Sequence, residues 1–209
     1  MSELARVTGV EKSAAHRLAV TLRSAGWLER GANGRWSISL GLGRLARKAA
    51  RGALTASLRP RMEALRDRTG ESVMLVAIED ARLLVQEVVE SRHALRISAP
   101  PGAELPLLRS SAARAIAAHL RPDELAALRR AHPALDDDAA LAAVRRRGWA
   151  TNDREIVADA RVAGAPILDA DGRPLAALIV CGPASRVTAA RMRQFGRWVG
   201  ETARASRVT

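Results

Sequence analysis

The sequence predicts an α+β fold in which helices come first and an antiparallel sheet follows. Three observations carry this. From Glu11 to Ala25, apolar Ala14, Ala15, Leu18, Ala19, Leu22 and Ala25 recur at spacings of three and four, the period of a helix with one buried face. Beyond residue 70 the period changes, and short apolar, β-branched runs appear at Val73–Ile78, Leu83–Val89, Ala163–Asp169 and Leu175–Cys181. Tight turns at Glu79-Asp80 and Asp171-Gly172 join these runs in pairs, which favours hairpins over parallel crossovers.

Composition sets the limits. A length of 209 residues suits one or two domains, and 48% hydrophobic residues suffice for a sizeable core. With four Trp, one Phe and no Tyr, that core must rest on Leu, Val, Ile and Ala. A lone cysteine cannot close an internal disulfide, which fits a reducing compartment. The N-terminus lacks the pattern of a secretory signal, and no apolar run approaches the ~18 residues of a membrane span. A cytoplasmic protein is expected. The net charge is +12, and residues 1–60 hold eleven Arg or Lys against three Glu. An excess so concentrated at the front favours a polyanionic partner there. Because 32 of the 34 basic residues are Arg, codon bias is a competing source of the charge.

Along the chain, Ser2–Thr8 reads as a short helix with Ser2 as N-cap and Gly9 as its stop. The helix from Glu11 ends at Gly26. Trp27–Arg30 and Arg35–Leu40 read as strands about a Gly31–Gly34 turn containing Asn-Gly. Leu42–Leu58 is a basic helix, and Pro60 suits the start of a new one that runs to Gly70. After the first hairpin, Leu95–Ala99 is a strand candidate ended by Pro100-Pro101-Gly102. Helices are expected at Ser110–Leu120, Asp123–Ala131 and Ala139–Arg147, and a last helix runs from a Thr188 cap to about Ala205.

Helix, glycine turn, helix and two-stranded hairpin form the pattern of a winged helix-turn-helix. In that arrangement the second helix lies in the DNA major groove. Lys12, Ser13, His16 and Arg17 are suited to phosphate and base edges, and Arg30 and Arg35 flank the tip of the wing. The competing reading is an amphipathic helix with a solvated polar face. Gly41-Leu-Gly43-Arg-Leu-Ala46 matches a dinucleotide fingerprint, but its preceding strand alternates and no parallel strand follows. Cys181, His119 and His132 could be imagined as a nucleophile with bases, yet nothing orients either histidine. A small buried thiol is the simpler reading of Cys181. No spacing suggests a metal site, and no cofactor or catalytic residue is expected. Arg109-Ser110-Ser111 opens an Ala-rich helix whose free N–H groups, with Arg109 or Arg161 nearby, would suit a small carboxylate. The plainer alternative is a serine cap.

These motifs, in order, resemble the IclR-type transcriptional regulators. Ser2-Glu-Leu-Ala-Arg-Val-Thr-Gly-Val-Glu-Lys-Ser-Ala-Ala-His-Arg-Leu18 and Ala25-Gly-Trp-Leu-Glu-Arg30 look like the DNA-binding domain. Leu105-Pro-Leu-Leu-Arg-Ser-Ser-Ala-Ala-Arg-Ala115, Arg145-Arg-Arg-Gly-Trp-Ala-Thr-Asn-Asp-Arg-Glu155, Ala165-Pro-Ile-Leu-Asp-Ala-Asp-Gly-Arg173 and Cys181-Gly-Pro-Ala-Ser-Arg-Val-Thr188 look like landmarks of the effector domain. The resemblance implies a winged helix-turn-helix over residues 1–40, a linker helix over 41–58 and a GAF-like effector domain over 59–209. It further implies a homodimer or a dimer of dimers on double-stranded operator DNA, with a small-molecule effector and no membrane. Carried over by position, the effector pocket would be lined by Ile97, Leu105, Ser111, Ala112, Asn152, Val162, Ile179 and Cys181, with Ser110 at the helix start. Asn152 stands where an acid is common, Val162 replaces a frequent Cys, and Ile179 and Cys181 replace Ser. Arg109 replaces a small residue. The expected effector therefore has an apolar body and one acid group. The family's first helix precedes Ser2 and is missing here, so a sensing module with impaired DNA binding is the alternative.

Overall fold

The computed structural model describes residues 6–7 and 9–206, with backbone alone at 40 and 43–51. The Ser2–Thr8 helix, with Ser2 and Leu4, lies outside the described residues except for Arg6 and Val7, which are helical. The chain forms two compact units, residues 1–54 and 55–209.

In the first unit, α1 spans Lys12–Ser24. Its N-cap is Glu11, whose carboxylate accepts the N–H groups of Ser13 at 3.1 Å and Ala14 at 3.3 Å. These bonds, led by those from Ser13, hold the carboxyl below its usual range. Gly26, at φ 74°, supplies the left-handed turn that ends the helix. Strands β1 (Leu28–Arg30) and β2 (Trp36–Ile38) pair antiparallel, Arg30 facing Trp36 and Leu28 facing Ile38. Among the described residues of this unit, the fully buried apolar side chains are Ala15 and Ala19. Leu18, expected on the packed stripe, is 56% exposed.

Helix α2 runs from Leu40 to Thr69 with Pro60 inside it. The sequence places a break there because proline removes one helical hydrogen bond, a cost of about 3 kcal/mol. The helix continues because Leu58, Met62 and Leu65 bury one continuous stripe. Each is worth roughly 1.5–3 kcal/mol, so the stripe outweighs the proline.

The second unit holds β3 (Ser72–Glu79), β4 (Arg82–Val89), β5 (Glu104–Leu105), β6 (Ala150–Asp153), β7 (Ala160–Leu168) and β8 (Pro174–Pro183). They form one sheet in the order β5-β4-β3-β8-β7-β6, and every pair is antiparallel. Helices α3 (Ser111–Ala117), α4 (Pro122–Ala131), α5 (Asp138–Arg147) and α6 (Ala189–Ala205) accompany it. Met74, Val76, Ala177, Ile179 and Cys181 face one core with α3 and residues of α4 and α5. The alternate residues Val73, Leu75, Leu178 and Val180 are buried on the opposite face. Both faces are covered, which explains the continuous apolar runs in β3 and β8.

Two strand expectations change. Residues 95–99 form no strand. Side chains replace the ladder there: Arg186 Nη2 donates to Leu95 O at 2.8 Å and the Cys181 thiol to Ile97 O at 3.3 Å. The outer partner of β4 is instead β5, beyond the Pro100-Pro101-Gly102 turn. Strand β6 is not expected, because in Ala150-Thr-Asn-Asp only Thr151 is β-branched and Asn and Asp disfavour strands. Its Ala150 and Asn152 are buried against β7. The absence of any parallel pair among the described residues, with Gly41 already inside α2, removes the dinucleotide reading of Gly41-x-Gly43.

Candidate functional site

The candidate site residues fall into two groups, one in each unit. In the first, Lys12, Ser13, His16 and Arg17 are all exposed on α1; Ser13 and Arg17 lie opposite buried Ala15 and Ala19, whereas Lys12 is in line with that pair, one turn before it. Ser13 is partly occupied. Its hydroxyl donates to Glu11 and accepts from Arg17 Nη1 at 3.4 Å. Glu11 therefore brings a negative charge to the helix entrance, a residue that spacing alone did not single out. Lys12 and His16 make no ion pair among the described residues.

The wing carries Arg30 and Arg35, both exposed. Asn33 Oδ1 accepts the Arg35 N–H at 3.1 Å, and Gly34 takes φ 74°, so the Asn-Gly pair fixes the tip. Arg30 Nε donates to Gly34 O at 3.3 Å while its guanidinium lies 5.8 Å from the centre of Trp36. The same indole meets His16 edge-on at 6.4 Å. Trp36 thus ties α1 to the hairpin. Sequence reasoning missed it, although an aromatic opening a wing strand was the available signal.

In the second unit, the effector candidates gather where α3 meets the sheet. Val162 on β7 faces Cys181 on β8, which faces Ser72 on β3; Gly164, Ile179 and Met74 form the next row. Gly164 lets α3 approach, since a Cβ there would lie 2.9 Å from Ile179 Cγ2 and 3.3 Å from Ser111 Oγ. Ser111 and Ala112 are buried at this contact. Leu105 sits on the far edge strand, opposite Leu83, and packs with Ile97 against the same core.

The polar members are largely occupied. Ser110 Oγ accepts the N–H groups of Ala112 at 3.2 Å and Ala113 at 3.5 Å, so the serine cap takes the helix donors that were assigned to an anion. Asn152 Nδ2 donates to Arg109 O at 2.7 Å, and its Oδ1 accepts from Glu155 N. Arg161 is already engaged by neighbouring groups. Its Nε is paired with Asp153 at 2.7 Å and its Nη1 donates to Val187 O at 2.7 Å. Arg109 is different: it is exposed, sits at φ 62° and has no salt bridge among the described residues. Burial, with Glu71 adding to it, pushes the Cys181 thiol up to about 12, which makes it unreactive at neutral pH. His132 is engaged elsewhere, its Nε2 2.7 Å from Ala81 O. The imagined nucleophile and base are therefore not assembled.

Beneath this site, Arg114 of α3 is clamped by Asp136 at 2.9 Å, Glu155 at 2.7 Å and Thr151 O at 2.9 Å. This network fixes the Ala-rich helix, and the sequence offered only an isolated arginine as its signal.

Comparison with known proteins adds the remaining observation. Residues 47–207 match the family model described as the bacterial transcriptional regulator IclR C-terminal domain, and residues 1–32 match the IclR helix-turn-helix domain. The transcriptional repressor IclR of Escherichia coli is 29% identical over 219 residues, covering 98% of this chain and 80% of that protein. The acetate operon repressor of Salmonella typhimurium is 29% identical with the same coverage of each. The crystal structure of Pseudomonas aeruginosa HmgR superposes with a TM-score of 0.66 at 29% identity, covering 98% of this chain and 87% of that one.

Proposed function

This chain belongs to the IclR family of bacterial transcriptional regulators, and on that premise we propose how it reads DNA and senses its effector. It is a ligand-responsive, DNA-binding regulator. Helix α1 enters the major groove with Lys12, His16 and Arg17 toward the DNA and Ser13 beside them, while Arg30 and Arg35 hold the backbone from the wing. The observation that carries this reading is the exposure of Lys12, His16 and Arg17 on one helix and of Arg30 and Arg35 on one hairpin. Arg17→Ala should lower operator affinity about tenfold or more, and Arg35→Ala should reduce the salt slope by about one. Gel shifts at several salt concentrations check both. Retained affinity in both variants would remove this face from DNA binding.

The effector in this proposal is a small carboxylate with an apolar body. Ile97, Leu105, Ala112, Val162, Ile179 and Cys181 supply an apolar wall with Ser110, Ser111 and Asn152 as polar edges, and Arg109, whose charge also reaches Glu155, has no salt bridge among the described residues. Effector and operator favour different arrangements of a homodimer or dimer of dimers, so each weakens or strengthens the other by linkage. Calorimetry with a series of small carboxylates tests the site: Arg109→Ala should weaken binding about tenfold. Unchanged affinity for every ligand that binds would take Arg109 out of the account.

A second reading, a sensor with weak DNA binding, is favoured by one observation. Val7, Leu18 and Ile38 of the first unit are 73%, 56% and 67% exposed, and its buried apolar core among the described residues is two alanines.

A further inference from the structure

A recess of about 420 Å³ lies in the second unit, between the ends of α5 and α6 and β7. Arg145, Arg146, Arg147 and Arg204 line it with His119, Pro166 and Leu168, and among the described residues no carboxylate does. None of the predicted site residues belongs to it.

Its cations are partly preset. Arg145 Nε donates to Ala118 O at 2.5 Å, which fixes the direction of its fork. Arg147 donates to Trp149 O and lies 4.2 Å above that indole. Burial pushes the Arg147 guanidinium down, as expected of a charge with no counter-ion. The Arg204 guanidinium lies over Gly148 and Gly200, where a Cβ would come within 3.1 and 3.5 Å of it. Neither Arg146 nor Arg204 has a salt bridge among the described residues. Within this lining, His119 Nε2 is buried with no hydrogen-bond partner among the described residues. Burial and then the Arg145 charge hold this imidazole down toward its neutral form.

Cations at helix C-termini answer the helix dipole, but two helix ends supply roughly one negative charge between them. Roughly three of the four positive charges, all on exposed residues, have no counter-ion among the described residues. A carboxylate has two oxygens and saturates with one or two guanidinium forks. A phosphoryl group presents three oxygens and about two charges, and so accepts forks from several directions.

We propose that this recess binds a small phosphate-bearing metabolite, held by Arg145, Arg146 and Arg204 with His119 as a hydrogen-bond partner. It is a second ligand site, separate from the α3 site and its Arg109.

Calorimetry of the full chain at low salt with inorganic pyrophosphate tests it. The expected result is saturable binding, shifted His119 ring resonances, and a loss of at least about tenfold in the Arg146→Ala/Arg204→Ala double variant. Arg146→Glu, at an exposed position, should abolish binding by itself and serves if the double variant fails to fold. Arg109→Ala should leave the heat unchanged, so failure of the carboxylate site and failure of this one are distinguishable. No saturable heat at millimolar pyrophosphate would overturn the proposal. So would binding that survives Arg146→Glu, or citrate binding as tightly as pyrophosphate.

Discussion

Gly196 is fixed by a residue far from it in sequence. A Cβ at this position would lie 2.2 Å from Trp149 Cε3 and 2.6 Å from Cζ3, and that indole is held by Arg147. Alanine would gain about 1 kcal/mol of helix propensity in α6, but overpacking costs about 1–3 kcal/mol and the ring has little room to move. Gly196→Ala should therefore destabilise the second unit by roughly 1–2 kcal/mol, against its propensity, as read by urea unfolding. The same logic governs the candidate sites. Residue type and helical spacing identified Lys12, His16 and Arg17 as exposed polar side chains of one helix, because such exposure is a local property. Residue type did not reveal that Arg161 is already paired, because its partners Asp153 and Val187 come from other segments. Glu71, almost fully buried, is likewise intelligible only through Arg186, whose Nε and Nη2 meet its two oxygens at 2.8 and 2.9 Å. Ser110 was legible as a cap, since capping is local.

At the level of elements, α2 holds the clearest conflict between local preference and packing. Pro60 is exposed, so replacing it removes no core contact. Alanine would restore a helical hydrogen bond and remove the ring's clash with the preceding turn, together worth about 3 kcal/mol, less up to about 1 kcal/mol for a more flexible unfolded chain. Pro60→Ala should raise the stability of the second unit by roughly 2 kcal/mol, measured by its denaturation midpoint. The ordinary elements were readable because their signals are local: Glu11–Ala25 by period, the wing by Asn-Gly, α6 by Thr188, whose Oγ1 accepts the Arg191 N–H at 3.2 Å. Strand β6 and residues 95–99 were misread because both lie where another segment supplies the hydrogen bonds. In β6 that segment is β7; at 95–99 it is the side chains of Arg186 and Cys181.

For the whole molecule, the two units differ sharply in core. Ala15 and Ala19 are the fully buried apolar residues described in residues 1–54, whereas Phe195, Leu58, Met62, Leu75, Ile167 and Leu178 are among those buried in residues 55–209. Among the described residues, the first unit therefore buries much less apolar surface than the second. Urea should therefore unfold the chain in two transitions, the first unit at the lower concentration. Trp27 and Trp36 report the first and Trp149 and Trp198 the second, and operator DNA should raise the first midpoint by mass action. A single coincident transition would show that the units unfold together. The sequence by itself determined the α+β class, the hairpins, the helix caps and the clustering of positive charge at the front. Those features follow from periodicity, turn chemistry and composition, which act over a few residues. Tertiary structure alone decided which cations stay free, why α2 continues through Pro60, and that four arginines meet His119 around one recess. Each of these depends on side chains brought together across many residues, and neither spacing nor residue type encodes such distances.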